Sequence, residues 1–104
     1  MIKELNQENF AEVIKTKKLI LVDFWASWCG PCRMLSPVID SLSEEYSAQI
    51  DVGKVNVDEQ GALAAQFGIV SIPTVILFKD GKEEKRIIGV HDADDYRDEI
   101  DKLL

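Results

Sequence analysis

Leu19-Ile20-Leu21-Val22-Asp23-Phe24-Trp25-Ala26, followed at once by Ser27-Trp28-Cys29-Gly30-Pro31-Cys32, decides how this chain folds. The first eight residues form a short, continuous run of bulky apolar side chains, the pattern of a strand buried on both faces. After Cys32, apolar residues recur at Met34, Leu35, Val38, Ile39, Leu42 and Tyr46. That spacing puts them on one face of a helix reaching about Tyr46. The chain's two cysteines therefore fall at a strand-to-helix turn, at a helix N-terminus.

That position has chemical consequences. The free N–H groups and the dipole of a helix start favour negative charge, and a thiolate there forms at lower pH than an ordinary thiol. Cys29, at the cap, is expected to be the more exposed sulfur, and Cys32, inside the first turn, the more sheltered. Gly30 is expected to let the backbone turn without a Cβ clash. Pro31 suits the first helical position, where its missing N–H loses nothing. Two intervening residues leave the sulfurs near enough to bond. The pair reads either as a dithiol that opens and closes or as half of a zinc or iron–sulfur site. The second reading lacks ligands, because there is no second cysteine pair and only one histidine, His91. No metal and no cofactor is assigned.

Bulk properties narrow the function classes. A chain of 104 residues reads as one domain over residues 1–104, with one core. An apolar fraction of 46% is that of an ordinary globular protein. A formal charge of −7 argues against nucleic acid as a partner. No apolar stretch is long enough to span a bilayer, and Met1-Ile2-Lys3-Glu4-Leu5 lacks the apolar core of a secretory signal. The expectation is a cytoplasmic protein with no membrane contact. In a reducing compartment a lone Cys-x-x-Cys is catalytic or metal-binding more often than structural.

Taken in order, the chain predicts β-α-β-α-β-α-β-β-α. Ile2 to Leu5 is a short strand, and Asn6 caps a helix through Phe10, Val13 and Ile14. Pro37 is expected to bend the long helix, as a matter of shape. Ile50 to Val57 is a strand in which Gly53 marks a bulge or burial on both faces. Glu59 to Phe67 is a helix using Ala62, Leu63, Ala65 and Phe67 for packing, closed by Gly68. Val75 to Phe78 and Glu83 to Gly89 form a hairpin about Asp80-Gly81, the latter strand charged and at an edge. Asp92 caps a last helix with Ala93, Tyr96, Ile100, Leu103 and Leu104 inward. Strands alternating with helices imply an α/β fold with a mixed sheet covered on both faces.

Trp28-Cys29-Gly30-Pro31-Cys32, preceded by Val22-Asp23-Phe24-Trp25-Ala26, resembles the active site of the thioredoxin family. The match continues through Lys54-Val55-Asn56-Val57-Asp58, Ile72-Pro73-Thr74 and Phe78-Lys79-Asp80-Gly81 and covers nearly the whole chain. The resemblance implies a thioredoxin fold, with a central five-stranded sheet and four helices. It implies a thiol–disulfide oxidoreductase that reduces disulfide-containing protein substrates, working as a monomer and recycled by a thioredoxin reductase. Cys29 would be the nucleophile and Cys32 the resolving thiol, alternating between a dithiol and a Cys29–Cys32 disulfide.

Other roles follow from the same resemblance. Asp23 is a carboxylate among Val22, Phe24 and Trp25. Burial raises the pKa of such a group towards neutrality, and the resemblance makes it the proton acceptor for Cys32. Without it, Asp23 reads as a buried polar group satisfied by water or by Lys54, and Lys54 as an ordinary strand lysine; the resemblance makes Lys54 a supporting residue. The Ile72-Pro73 bond is implied to be cis and to sit against the cysteines. Trp28, Gly30, Pro31, Ile72, Pro73 and Gly89 form the implied substrate-docking rim, while Trp25 is read as core and His91 as a surface loop residue. Ser27, Gln60-Gly61, Val70-Ser71 and Val90-His91-Asp92 depart from common versions of the family's loops. The Gly30-Pro31 dipeptide favours a reductase over an oxidase or isomerase, whose families often place a histidine there. A binding module using the same rim without turnover is the third reading.

Overall fold

The apolar run at Leu19 forms the middle strand of the protein. The structure, a computed structural model, describes residues 2–104. Its elements are β1 (Ile2–Glu4), α1 (Phe10–Val13), β2 (Leu19–Trp25), α2 (Gly30–Glu45), β3 (Ile50–Asn56), α3 (Gly61–Gln66), β4 (Thr74–Lys79), β5 (Lys82–Ile88) and α4 (Ala93–Leu103). They build the expected thioredoxin fold, one five-stranded mixed sheet in the order β1-β3-β2-β4-β5. Strand β2 pairs parallel with β3 and antiparallel with β4, so both its edges are filled.

Alternation along the strands sorts the core into two layers. Leu19, Leu21, Val52, Val75 and Leu77 point to one face and pack with Leu35, Ile39 and Leu42 of α2 and Tyr96 and Ile100 of α4. Ile20, Val22, Phe24, Val55, Ile76 and Phe78 point to the other, against Phe10 of α1 and Leu63 of α3. The chain's four phenylalanines meet in that second layer, with centroids 5.2–6.0 Å apart and tilted or edge-on rings. Asp23 and Trp25 continue the Leu19-Leu21 parity, and that puts them on the α2 and α4 face.

Local departures from the sequence reading have local causes. Helix α1 is shorter than expected, because Asn6 Oδ1 accepts hydrogen bonds from the Glu8 and Asn9 N–H groups, both at 2.9 Å. This side-chain turn displaces the first helical turn. Met34 is 71% exposed and leaves the buried stripe of α2 to Leu35, Ile39 and Leu42. Ala62 and Ala65 are exposed, since a six-residue helix buries only a narrow face, here Leu63. Asp92 occupies the N-cap position of α4 without a side-chain cap bond; its carbonyl accepts from Asp95 N–H at 3.0 Å. Leu104 lies past the end of α4 and is half exposed.

The hairpin is as read. Asp80 and Gly81 both have positive φ, 54° and 80°, the backbone of a primed two-residue turn. Strand β5 is a charged edge. No bulge occurs at Gly53, which pairs in register with Lys3 and Val22; the register of β4 and β5 shifts instead between Leu77 and Phe78. Gly53 is buried because the side chain of Leu5 lies across it. A Cβ at position 53 would stand 2.6 Å from Leu5 Cδ1 and 2.9 Å from Leu5 Cγ. Gly53→Ala is therefore expected to lower unfolding free energy in urea by about 1–3 kcal/mol, the usual overpacking cost. Combined with Leu5→Ala, which alone should lose about 2–5 kcal/mol, the double variant should lose at least about 1 kcal/mol less than the sum.

Candidate active site

Helix α2 needs an acceptor for its first backbone N–H groups, and Cys29 provides one. Cys29 is the N-cap, with extended backbone (φ −87°, ψ 110°). Its Sγ accepts the Cys32 N–H at 3.1 Å, and its carbonyl accepts the Arg33 N–H at 3.2 Å. A sulfur thus does the work that serine or aspartate does at ordinary helix starts. Pro31 sits one place later than expected, at the second helical position, still within the turn that needs no N–H partner. Cys29 and Cys32 are joined in a disulfide with Cα atoms 5.2 Å apart.

The two cysteines differ in surroundings and not, as expected, in exposure. Both are 4% exposed, because Trp25, Val57 and Ile72 pack over them and Ala26. Cys29 Sγ lies 3.8 Å from the Ile72 carbonyl oxygen, whereas Cys32 lines a cavity on the other side. Gly30 also departs from the reading. It lacks a positive φ, and a Cβ there would make only ordinary contact with the Arg33 guanidinium at 3.8 Å.

That cavity, about 160 Å³, is lined by Asp23, Trp25, Cys32, Arg33, Ser36 and Lys54. Asp23 is 2% exposed, and its Oδ1 has no hydrogen-bond partner. Burial pushes its pKa from 3.8 up to about 6, against the opposing pull of the Lys54 charge. Lys54 is the in-register neighbour of Asp23 on β3, yet its Nζ donates to Ser36 Oγ at 3.2 Å. Arg33 turns away, donating from Nη1 to the Ser27 carbonyl at 2.9 Å. Trp25, read as core, is only partly buried and forms a wall of this cavity.

The loops facing Cys29 complete the site. The Ile72-Pro73 bond is cis, as the resemblance implies, and Pro73 is buried. Gly89, at φ 87°, donates its N–H to the Pro73 carbonyl at 2.8 Å. The Tyr96 hydroxyl donates to the Gly89 carbonyl at 3.2 Å and accepts the His91 N–H at 3.3 Å. His91 itself bridges the Ile88 carbonyl and the Asp95 carboxylate at 2.9 and 3.1 Å, which raises its pKa. Trp28 is 68% exposed, its indole N–H held by Asp58 Oδ2 at 2.8 Å. Cysteines, Asp23, Lys54 and Ile72 are thus brought together, with Pro73 and Gly89 joined beside them.

Asp58, Ser36 and Tyr96 were not read as site residues. Asp58 is one residue of the matching Lys54–Asp58 stretch with no signal of its own, Ser36 is one polar residue in a helix, and Tyr96 reads as packing on the inner side of the last helix. Among the described residues, no group of three or more His, Cys, Asp and Glu side chains could hold a metal ion. No helix among the described residues is long and apolar enough to cross a membrane.

Comparison with known proteins agrees with this geometry. The thioredoxin family model matches residues 1–102. A thioredoxin from Chlamydia caviae is 53% identical over 94 residues, 90% of each chain. One from Alicyclobacillus acidocaldarius is 51% identical over 85 residues, 82% of this chain and 81% of the relative. One from Staphylococcus haemolyticus is 41% identical over 103 residues, 99% of this chain and 98% of the relative. With a Cys-x-x-Cys disulfide at the head of α2 and a matching model across nearly its whole length, the chain belongs to the thioredoxin family.

Proposed function

We propose that residues 1–104 act as one thioredoxin domain, a cytoplasmic, monomeric protein-disulfide reductase and electron carrier. The observation that carries this reading is the Cys29–Cys32 disulfide at the N-terminus of α2, with Cys29 Sγ accepting a backbone N–H. In the reduced protein the same N–H and the dipole of a 16-residue helix favour a thiolate at Cys29. That thiolate attacks one sulfur of a substrate disulfide, and the other sulfur leaves as a thiolate. Asp23 takes the proton of the Cys32 thiol. The Cys32 thiolate attacks Cys29 Sγ, breaks the mixed disulfide and releases the second substrate thiolate. Two electrons pass to the substrate, and Cys29–Cys32 is left oxidised. A thioredoxin reductase returns the electron pair and restores the dithiol.

Lys54 supports Asp23 through its charge. Trp28, Gly30, Pro31, Ile72, Pro73 and Gly89 form the docking rim; its exposed indole supports that role. Asp58 fixes the orientation of Trp28.

Cys32→Ser tests the order of attack. Incubated with a disulfide-bonded protein, it should accumulate a mixed disulfide at Cys29, visible by mass spectrometry under non-reducing conditions. Turnover should fall roughly a hundredfold or more, because an intramolecular attacker has been removed. Cys29→Ser should trap nothing; trapping at Cys32 instead would reverse the assignment.

Asp23 makes stability depend on pH. Its carboxyl titrates at 3.8 in the unfolded chain and about 6 when folded, so between these values the folded protein binds more protons. The Asp23 contribution to stability is therefore greatest below the lower value and falls as pH rises, by about 3 kcal/mol in total. Oxidised Asp23→Asn should be more stable than the parent by about 2–3 kcal/mol above about pH 7, and the gain should vanish below about pH 4. Urea denaturation across that range measures it. Resolution of the mixed disulfide by Cys32 should accelerate as pH rises and Asp23 deprotonates in the parent, and lose that step in Asp23→Asn.

A further inference from the structure

The cavity behind Cys32 holds a lysine that does not pair with the carboxylate beside it. Lys54 and Asp23 are in-register neighbours on adjacent parallel strands, on the same face of the sheet. An ammonium and a buried, unpartnered carboxylate oxygen so placed would ordinarily close into an ion pair. Here Lys54 Nζ donates instead to Ser36 Oγ at 3.2 Å, across the cavity on α2. Ser36 is half-buried.

Alternatives for this hydroxyl are few. It caps no helix, lying in the second turn of α2. What it does is give the lysine a partner other than Asp23. The remaining groups around Asp23 do not substitute for it. Cys32 and Arg33 face the cavity from α2, and Arg33 is committed to the Ser27 carbonyl. From α4, Asp23 senses Tyr96, whose hydroxyl is held by Gly89. On β4 the neighbour is Val75, which carries no charge. Among the described residues, Lys54 is thus the cation whose charge pulls on the Asp23 carboxyl.

We propose that Ser36 is a positioning residue for the reaction, holding the Lys54 ammonium on the α2 side of the cavity and so keeping Asp23 free to accept a proton. The proposal rests on the reading of Asp23 as the proton acceptor for Cys32. Its physical content is simple. With the ammonium held back, burial dominates and Asp23 retains affinity for a proton near neutrality. With the ammonium released onto Asp23 Oδ1, the carboxylate is stabilised as an ion and becomes a poorer base. Because the cavity has room for water, the proton can still travel between Cys32 and Asp23 while the lysine stays on Ser36.

Ser36→Ala tests this in the folded, oxidised protein. Alanine suits a helix interior, so the fold is expected to persist. The Asp23 titration midpoint, read from its side-chain carboxyl NMR shift, should fall by about one pH unit as Lys54 swings onto it. Ser36→Thr, which retains the hydroxyl, should restore the parent midpoint. In a Lys54→Met background the midpoint should rise, and Ser36→Ala should then have no further effect. An unchanged midpoint in Ser36→Ala would overturn the proposal. So would a fall of equal size with and without Lys54, which would mean that the hydroxyl acts on Asp23 through solvation alone. The pH profile of mixed-disulfide release from Cys29 separates this proposal from the reading it rests on. If the NMR midpoint falls while that profile stays put, Ser36 positions Lys54 as proposed, and Asp23 is not the acceptor for Cys32.

Discussion

A helix leaves its first backbone N–H groups without partners, and in this protein a reactive sulfur answers that need. Cys29 caps α2, and the Cys32 N–H points at its Sγ. The same contact that starts the helix favours negative charge on the sulfur. Stability and reactivity are therefore set at one point. That point is held in place because β2, which delivers the chain to it, is paired along its length with β3 and along most of it with β4. Val57 N–H to the Trp25 carbonyl, at 2.9 Å, extends the tie one residue beyond the strand.

The second constraint is a carboxylate where the strand pattern asks for an apolar side chain. Asp23 follows Leu19 and Leu21 onto the face covered by α2 and α4, with Val75 beside it on β4 and Tyr96 near it on α4. A group destabilised as an ion in such a place marks a site where local consistency has yielded to chemistry. The surrounding side chains limit the damage without removing it. Lys54 contributes its charge from a distance, and the cavity leaves the carboxylate reachable from Cys32. A full ion pair would stabilise the carboxylate and dull it as a base.

The rim opposite Cys29 is built from loops that hold one another. Gly89 can donate to the Pro73 carbonyl because its positive φ turns the chain after β5 back towards the loop before β4. Tyr96, buried in the core through its ring, reaches that same loop with its hydroxyl. His91 ties the loop to the first turn of α4 through Asp95. The loops that carry Pro73 and Gly89 are thereby fastened to the core that carries the cysteines, although they belong to neither β2 nor α2.

Much of the fold was legible because its signals are local. The apolar run of β2, the helical spacing of Leu35, Ile39 and Leu42, the Asp80-Gly81 turn and the charged edge of β5 each depend on residues within a few positions of one another. So does the placing of Cys29 and Cys32 at a helix start, and the oddity of Asp23 in its strand. Contacts between residues distant in sequence were set by the three-dimensional fold alone. Cys29 meets the Ile72 carbonyl across 43 residues, Trp28 meets Asp58 across 30, and Lys54 meets Ser36 across 18. Leu5 lies over Gly53, which decided between a bulge and burial there in favour of burial, and packing around the disulfide made the two cysteines equally buried. No periodicity encodes such pairings. They arise when the sheet sets β2 between β3 and β4 and brings the ends of separate loops to the head of α2.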